Sequence, residues 1–552
     1  MTAPHRLLAS HASIALVDSA ATRATELRAA ADLPPHELMR RAGVALLRLA
    51  RAVAPHARSA WVAAGPGNNG GDGLVLATLL RRAGMAVSVS LVGHAAQRAR
   101  PADAAWALQE ARAAGVTLLD TLPDAAALAR VDLCVDALFG VGQTRAPQGE
   151  FATAIEALNA CAATLLAVDL PTGLCGDSGA ALGEHVVRAT HTLALLSVKP
   201  GLFTGAGREF AGEPWFCDLG VAQPAPLASM TTLCGADRVV PLLPRRRHLA
   251  NKGSFGDVHV AGGAAGMVGA SLLAGRAAAT AGAGRVFVHM RASDAGVPLP
   301  VDLAHPELML RPLVQLPPAL RENPRATVVA GCGGGADVGA ELPAYLSHAC
   351  RLVLDADALN AVARDAGLRA QLRTRAQRGL PTILTPHPLE AARLLGSSVA
   401  QVQADRASCA RRLAADTGAV IVLKGSGTLV ASPDGRVSVN PSGDARLASA
   451  GTGDVLAGWI GGLWAAQPHE PAAPPATAAD TGTHTHPTAD ADAETDASDT
   501  RQAGALLLAQ QVAAAAVFVH GRSCAVARDT RLPLVASALI AAIAQAVSSL
   551  DD

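Results

Sequence analysis

In the first part of the chain, short unbroken apolar runs alternate with stretches of helical character. Ser59–Ala64 is a run of strand length, followed by a loop rich in glycine and asparagine and then by a helical stretch from Leu74 to Arg82. Ala86–Val92, Val131–Val135, Thr164–Val168 and Thr192–Ser197 repeat the strand pattern. Runs that are apolar at every position suit strands covered on both faces, and their alternation with helices predicts a parallel α/β sheet. The rhythm lapses over 222–245, where Pro241, Pro244 and Arg245–Arg247 predict a domain boundary. A second series begins at Val258–Ala261 and continues through Arg285–His289, Thr327–Ala330, Leu352–Leu354, Thr382–Leu384 and Val420–Leu423. Two α/β domains are therefore expected, over residues 1–228 and 238–552. From Gln467 to Thr500 the chain holds almost no large apolar residue, and such a segment buries too little surface to offset its ordering entropy. A disordered insert is expected there, with His484 and His486 solvated rather than metal-bound, before apolar helix resumes at Ala505.

Length agrees with this division, since 552 residues exceed what one hydrophobic core organises. Abundant alanine and glycine beside 3% aromatic residues predict close helix–sheet packing through small side chains. The 46 basic and 46 acidic residues cancel, and no basic stripe is interleaved with aromatics, which argues against a nucleic-acid binder. Nine scattered cysteines without a CxxC pair argue against a zinc site or a disulfide framework and predict a reducing compartment. Asp18, Arg23 and Glu26 interrupt any signal-like run, and no unbroken stretch reaches the roughly 18 apolar residues of a membrane span. A cytoplasmic protein is expected.

The loop Gly65–Gly73 lies between a strand and a helix and formally matches GxGxxG. Glycines there let a backbone approach a phosphate at a helix N-terminus. An ordinary nicotinamide dehydrogenase also needs an acidic residue after the next strand, and Leu91-Val92-Gly93-His94 has none. The longer string Gly67-Asn68-Asn69-Gly70-Gly71-Asp72-Gly73 resembles the hallmark of the NAD(P)HX epimerase family. Val135–Gly142, Val168–Gly173, Lys199-Pro200-Gly201 and the helix end Leu38–Gly43 resemble the same family in order, with Arg40 where Glu or Asn is usual. The resemblance covers roughly residues 15–225 and implies a Rossmann-like parallel αβα sandwich.

It further implies that Asn69, Asp136 and Thr172, the last in place of the usual Ser, hold a potassium ion. Asn68, Asn69, Gly70, Gly71 and Asp72 are implied to wrap the hydrated cofactor together with Gly140, Val141, Gly142, Gln143, Thr144, Arg145 and Ala146. Asp169 is implied to face the damaged ring, and Lys199 is the candidate second polar group. Read without the resemblance, Asp72 is equally a helix cap, and Asp136 and Asp169 equally close their strands.

In the second half the most telling run is Ala450–Gly458, with Gly451-Thr452-Gly453-Asp454 ahead of an apolar helix. Successive amides at a glycine-rich helix start form an anion hole for a phosphoryl group, and an Asp inside that turn can take the proton of an attacking hydroxyl. There is no GxxxxGK[ST] string. The turn resembles that of ribokinase-like folds. Lys252–Gly256, Gly262-Gly263 with Gly269-Ala270, Ala281–Gly284, Asp355–Asn360, Leu384–Glu390 and Leu423–Thr428 narrow the resemblance to the ADP/ATP-dependent NAD(P)HX dehydratases. It spans about 245–465 and resumes at 505–530.

The resemblance implies phosphorylation of a ring hydroxyl, then loss of phosphate, with Asp454 as base. Nucleotide contacts are implied at Lys424, Gly425, Ser426, Gly427, Thr428, Gly451, Thr452 and Gly453, and contacts to the hydrated cofactor at Ala270, Gly335 and His387. Mg²⁺ is implied to accompany ADP or ATP, with Asp357 and Glu390 near it, and a homo-oligomer is implied for this half. Departures from the family are Asn251 for His, Gly331-Cys332-Gly333-Gly334-Gly335 for PGxG, and Asp444 and Arg446 before the glycine turn, where Arg446 is a candidate phosphate clamp. The motifs imply a bifunctional repair enzyme for hydrated NADH and NADPH. A small-alcohol kinase with a nucleotide-binding N-terminal domain and a non-catalytic nucleotide sensor are the alternatives.

Overall fold

The computed structural model describes residues 3–7, 12–93, 100–223, 229–291, 301–468, 490–527 and 531–550, with backbone alone over 490–500. The chain separates into two compact units, Met1–Leu233 with Gln403–Arg406, and Cys234–Val402 with Ala407–Asp552.

The main sheet of the first unit has eight strands: β1 (His5–Arg6), β2 (Ser59–Ala64), β3 (Ala86–Leu91), β4 (Thr117–Leu119), β5 (Leu133–Ala137), β6 (Thr164–Val168), β7 (His191–Leu195) and β8 (Glu213–Cys217). Their order is β1-β8-β7-β6-β5-β2-β3-β4, parallel throughout except for the β1/β8 pair. The order reverses between β5 and β2, which makes the C-terminal ends of those strands the natural crevice of the sheet. Helices α1 (Ser19–Asp32), α2 (Glu37–Val53) and α3 (Asn68–Arg82) bear on that edge. Leu46, Val62, Leu76, Val89, Val135 and Leu166 form the core on one face, and Trp61, Cys134, Ile155 and Leu165 the core on the other. Strands β1 and β4, at sheet edges and partly exposed, lack the unbroken apolar run that marks the others.

The structure corrects the expected loop over Gly65–Gly73, because α3 begins at Asn68 with Gly67 as its cap. A Cβ on Gly70 would stand 1.9 Å from the Gly65 carbonyl oxygen, one on Gly71 2.5 Å from Met39 Cε, and one on Gly73 2.4 Å from Ala137 Cβ. Close approach of helix to sheet and to α2 needs those glycines. Packing thus overrides a helix penalty of about 1 kcal/mol per glycine.

The second unit holds β9 (Asp257–Gly262), β10 (Arg285–Met290), β11 (Met309–Pro312), β12 (Thr327–Ala330), β13 (Arg351–Leu354), β14 (Thr382–Leu384), β15 (Val420–Leu423), β16 (Leu429–Ala431) and β17 (Val437–Val439). They follow the order β11-β10-β9-β12-β13-β14-β15-β16-β17. Pairing is parallel from β11 to β15 and antiparallel in the closing hairpins. Its helices include α4 (Val268–Thr280), α5 (Ala356–Arg364), α6 (Pro388–Leu395), α7 (Thr452–Ala465) and α8 (Asp490–Val526). Small residues let α4 and α7 meet backbone to backbone. A Cβ on Gly458 would lie 2.0 Å from the Ala274 carbonyl oxygen, and one on Gly462 2.2 Å from that of Ala278.

Two expectations about the C-terminal region change. Residues 469–489 of the expected insert lie outside the described residues, whereas the backbone from Asp490 is already helical. The segment Arg501–Val526 is also long and apolar enough to cross a membrane, with mean hydropathy 1.6 in its best window. No unbroken apolar run marks it because Gln510, Gln511 and His520 interrupt the apolar residues. Of that window 56% is buried, and Ala509, Val512, Ala516 and Val519 join the core around α7, the behaviour of a core helix.

Candidate functional sites

The first site is a cavity of about 410 Å³ at the C-terminal ends of β2, β5, β6 and β7, walled on its other side by α1 and α2. Asn68, Asn69 and Asp72 reach it from the first turns of α3, Gly140–Gln143 from the loop after β5, and Asp169 and Lys199 from the ends of β6 and β7. Gly70 and Gly71 do not line it; they serve the packing described above. Thr144, Arg145 and Ala146 are exposed and do not line it. The loop turns away at Gln143, whose side-chain oxygen accepts a hydrogen bond from the Gly173 amide at 2.8 Å.

Asp169 takes a left-handed backbone, φ 68°, which is uncommon for a residue with a side chain. There its Oδ1 accepts hydrogen bonds from Lys199 Nζ and from the Leu195 amide at 3.2 Å. The same ammonium donates to the Leu195 carbonyl at 2.8 Å. Only 1% of the lysine side chain and 11% of the aspartate side chain are exposed, so this is a buried ion pair opening onto a cavity.

Asp136 and Thr172 also come together. The Thr172 hydroxyl and amide each donate to the Asp136 carboxylate at 2.8 Å, and the Leu138 amide adds a bond at 3.2 Å. Burial lifts the Asp136 pKa to about 6, with those hydrogen bonds working against the rise. Asn69 Nδ2 is buried without a hydrogen-bond partner, and Asn69 Oδ1 lies beside Gly140. Asp72 is pushed well above the usual carboxyl range, chiefly by burial and next by the charge of Glu26. Glu26 itself, on α1, lines the cavity and accepts a hydrogen bond from Asn68 Nδ2 at 3.4 Å. Sequence reading used Glu26 only to interrupt a signal-like run, and no motif marks it.

In the second unit, α7 starts from Gly451 at φ 84°, and Asp454 sits in its first turn. The Thr452 hydroxyl proton is directed at the Leu447 and Ser449 carbonyls at 3.0 and 2.9 Å, so this side chain ties the turn to the preceding loop. Amides in a first helical turn lack intrahelical acceptors, which leaves Gly453 and Asp454 N–H groups at the helix mouth. A Cβ placed on Gly453 would lie 3.4 Å from Lys424 Nζ and 3.8 Å from Asp355 Oδ2. The glycine turn therefore faces the Lys424–Asp355 ion pair, closed at 2.7 Å. Thr385 Oγ1 donates to the same Asp355 oxygen at 2.7 Å.

Cys332, Asp355 and Asp454 bring one potential ligand atom each within 4.8 Å of one another. Burial first, and the Asp355 charge second, raise the Asp454 pKa to about 6. For Lys424 burial acts downward, but the carboxylates of Asp355 and Glu390 outweigh it and the pKa rises. Lys424–Thr428 form the connection between β15 and β16, with Gly425 at φ 132° and Gly427 at φ 61°.

Residues expected around the hydrated cofactor in this unit are less gathered. Gly335 lines a groove of about 720 Å³ with Met267, Asp357, Asn360 and Arg393, whereas Ala270 and His387 do not line it. The Gly335 amide donates to Asp357 Oδ2 at 2.9 Å. His387 is the N-cap of α6: its Nδ1 accepts from the Leu389 amide at 3.1 Å, and the His387 amide in turn donates to Glu390 Oε2 at 2.8 Å. Burial pulls the His387 pKa down and pushes Glu390 up to about 7.

Two departures find structural roles. Asn251 caps the turn Lys252–Phe255 in a reciprocal capping box with Ser254. Arg446, the candidate phosphate clamp, pairs its guanidinium with Asp444 at 2.7 Å and donates to the Cys524 and Ala527 carbonyls at 2.6 Å each. Sequence reading assigned no role to His520 of α8 or to Cys332. His520 is buried, bonds the Thr452 carbonyl through Nε2 at 3.1 Å, and is lowered by burial to about 4.

Known proteins align with both halves. Residues 258–511 match the family model described as NAD(P)H-hydrate dehydratase, and residues 35–201 match that described as YjeF-related protein N-terminus. The bifunctional NAD(P)H-hydrate repair enzyme of Escherichia coli (strain K12) is 37% identical over 449 residues, covering 79% of this chain and 82% of its own. That of Leishmania major is 36% identical over 461 residues, covering 78% of this chain and 81% of its own. A crystal structure of the ADP/ATP-dependent NAD(P)H-hydrate dehydratase from Bacillus subtilis, co-crystallized with ATP/Mg²⁺, is 26% identical with a TM-score of 0.41, covering 57% of this chain and 96% of that one. The family matches in both halves and the aligned length together place this chain in the family of bifunctional NAD(P)H-hydrate repair enzymes.

Proposed function

We propose that the chain repairs hydrated NADH and NADPH in two steps, epimerising the R and S forms in the first unit and dehydrating the S form in the second at the expense of ADP or ATP. The observation that carries the reading is the Gly451–Asp454 turn, which points helix-mouth amides and a carboxylate of raised pKa at the Lys424–Asp355 pair. Hydroxide is a poor leaving group and phosphate a good one, which explains why a dehydration would consume a nucleotide. Asp454 takes the proton of the ring hydroxyl as it attacks the terminal phosphorus, and the amides at the mouth of α7 hold the charge that develops on the phosphoryl oxygens. Lys424 and the Gly425–Thr428 connection meet the nucleotide. Mg²⁺ suits the carboxylate-rich surroundings of Asp355 and Asp357 and would neutralise the phosphates when bound.

In the first unit, Asp169 and Lys199 face the damaged ring, while Asn68, Asn69, Asp72 and the Gly140–Gln143 loop hold the rest of the cofactor. Asp136 and Thr172 offer hard oxygens, and Asn69 brings its side-chain Oδ1 beside Gly140 on the same cavity, an oxygen set that suits a potassium ion. That ion would supply fixed positive charge at the end of β5. We also expect self-association and a cytoplasmic location. Incubating the protein with S-NADHX and ADP or ATP tests the central reading: restored NADH absorbance is expected. A stable phosphorylated product would instead support a small-molecule kinase.

A further inference from the structure

Glu26 enters the first cavity from α1, a helix outside the recognised motifs. It stands among charged groups from several elements: Arg23 on its own helix, Asp72 of α3, Asp103 of the helix Ala102–Ala113, and Asp169 with Lys199 at the sheet edge. Its Oε1 is touched by Asn68 Nδ2 at 3.4 Å, and the Asn68 side chain belongs to the wall of the same cavity. Burial raises its pKa most. The Asn68 hydrogen bond and Lys199 act downward, while Asp169 and Asp103 add to the rise. Asp169 differs, being ion-paired with a buried ammonium. Two carboxyl groups in contrasting environments on one cavity are the arrangement an acid–base pair requires.

We propose that Glu26 is the general acid of the epimerisation, delivering a proton from the α1 wall while Asp169 serves as base on the strand side. The inference rests on the epimerase reading of this site. The hydrated ring is a hemiaminal, with a hydroxyl on the carbon next to the ring nitrogen. Glu26 gives its proton to that hydroxyl, the carbon–oxygen bond breaks with its electron pair on oxygen, and water departs. The nitrogen lone pair closes a carbon–nitrogen double bond, leaving a ring cation. Water then adds to the other face of the carbon and gives its proton to the Asp169 carboxylate. Nothing is oxidised or reduced, and one proton has passed from Glu26 to Asp169. The reverse direction uses the same groups with roles exchanged, and exchange with solvent resets them.

The test uses the full chain and purified R-form hydrated NADH, with the epimers separated by chromatography and the uncatalysed rate subtracted. Glu26→Gln is expected to lower kcat about 100-fold or more with KM little changed. A general acid is lost as pH rises through its pKa, so the unsubstituted chain should show a falling alkaline limb that Glu26→Gln lacks. Glu26→Asp, which keeps the carboxyl, should restore part of the rate and the limb. Dehydration of the S form by the second unit should continue in both variants and report an intact chain. Full kcat in Glu26→Gln, or a fall confined to KM, overturns the proposal. If Glu26→Gln does not fold, Glu26→Asp decides alone, and an unaltered rate and limb there overturn it. An unsubstituted chain that dehydrates but does not interconvert the epimers overturns the epimerase reading together with this inference.

Discussion

Removing the ammonium from the Asp169–Lys199 pair is the sharpest perturbation of the first unit. Lys199→Met keeps an apolar stem of similar length and deletes the charge. It leaves a mostly buried carboxylate whose remaining donor among the described residues is the Leu195 amide at 3.2 Å, and leaves the Leu195 carbonyl without the ammonium. Breaking a buried pair from one side costs about 3–5 kcal/mol, because the abandoned charge has neither water nor partner. For a unit of this size each kcal/mol moves Tm by about 2–4 °C, so a loss near 4 kcal/mol lowers it by about 8–16 °C. Scanning calorimetry of the full chain reads the shift, and hydrogen exchange over β6 and β7 localises it. The double variant Asp169→Asn/Lys199→Met removes both charges, and Asn tolerates the left-handed backbone at position 169. It should recover most of the stability while remaining inactive as an epimerase. A single variant that melts within about 2 °C of the parent, or a double variant as unstable as the single, would refute the reasoning, since the pair would then not be energetically buried.

Other outcomes follow from the second unit. Asp454→Asn should slow dehydration about 10²- to 10⁴-fold and leave epimerisation untouched, read by following the two reactions on separate epimers. Because a base works only when ionised, and Asp454 is raised to about 6, dehydration should climb as pH rises through about 6 and level off above it. Gly458→Ala forces a methyl into the Ala274 carbonyl at 2.0 Å and should cost about 1–3 kcal/mol or more in urea unfolding, with Gly269→Ala on the open side of α4 as a mild control. The buried pair His259 and His289, bonded at 2.9 Å, is lowered chiefly by burial to about 4 and about 3. The unfolded chain binds those protons near pH 6.5 and the folded one does not. Stability should therefore be full above pH 6.5 and decline as pH falls towards 4 and 3, a slope that His259→Phe/His289→Leu flattens in urea titrations.

Most strands were legible because the parallel sheets bury both faces, so Thr164–Val168, Thr327–Ala330, Thr382–Leu384 and Val420–Leu423 are apolar at nearly every position. The turn at Gly451–Asp454 was legible for a related reason, since a glycine turn heading an apolar helix is a local signal that ends where the helix begins. Local signals failed where tertiary packing outweighed propensity. Asn68–Gly73 is a poor helix by composition, yet Gly65, Met39 and Ala137 accept its glycines so closely that the helix pays for them in contacts.

What the sequence by itself determined was two α/β units and the strand ends at which their polar residues emerge. Only the folded chain decided which of those residues meet. Asp169 meets Lys199 and Asp355 meets Lys424 because parallel strands return through crossovers that bring distant strand ends to one edge, and the first turn of α7 brings Asp454 to Cys332 there. Glu26 reaches its cavity by the docking of α1, an element without motif or marked amphipathic pattern. The raised pKa values of Glu26 and Asp454 come chiefly from burial, a property of the packed interior that no residue carries on its own.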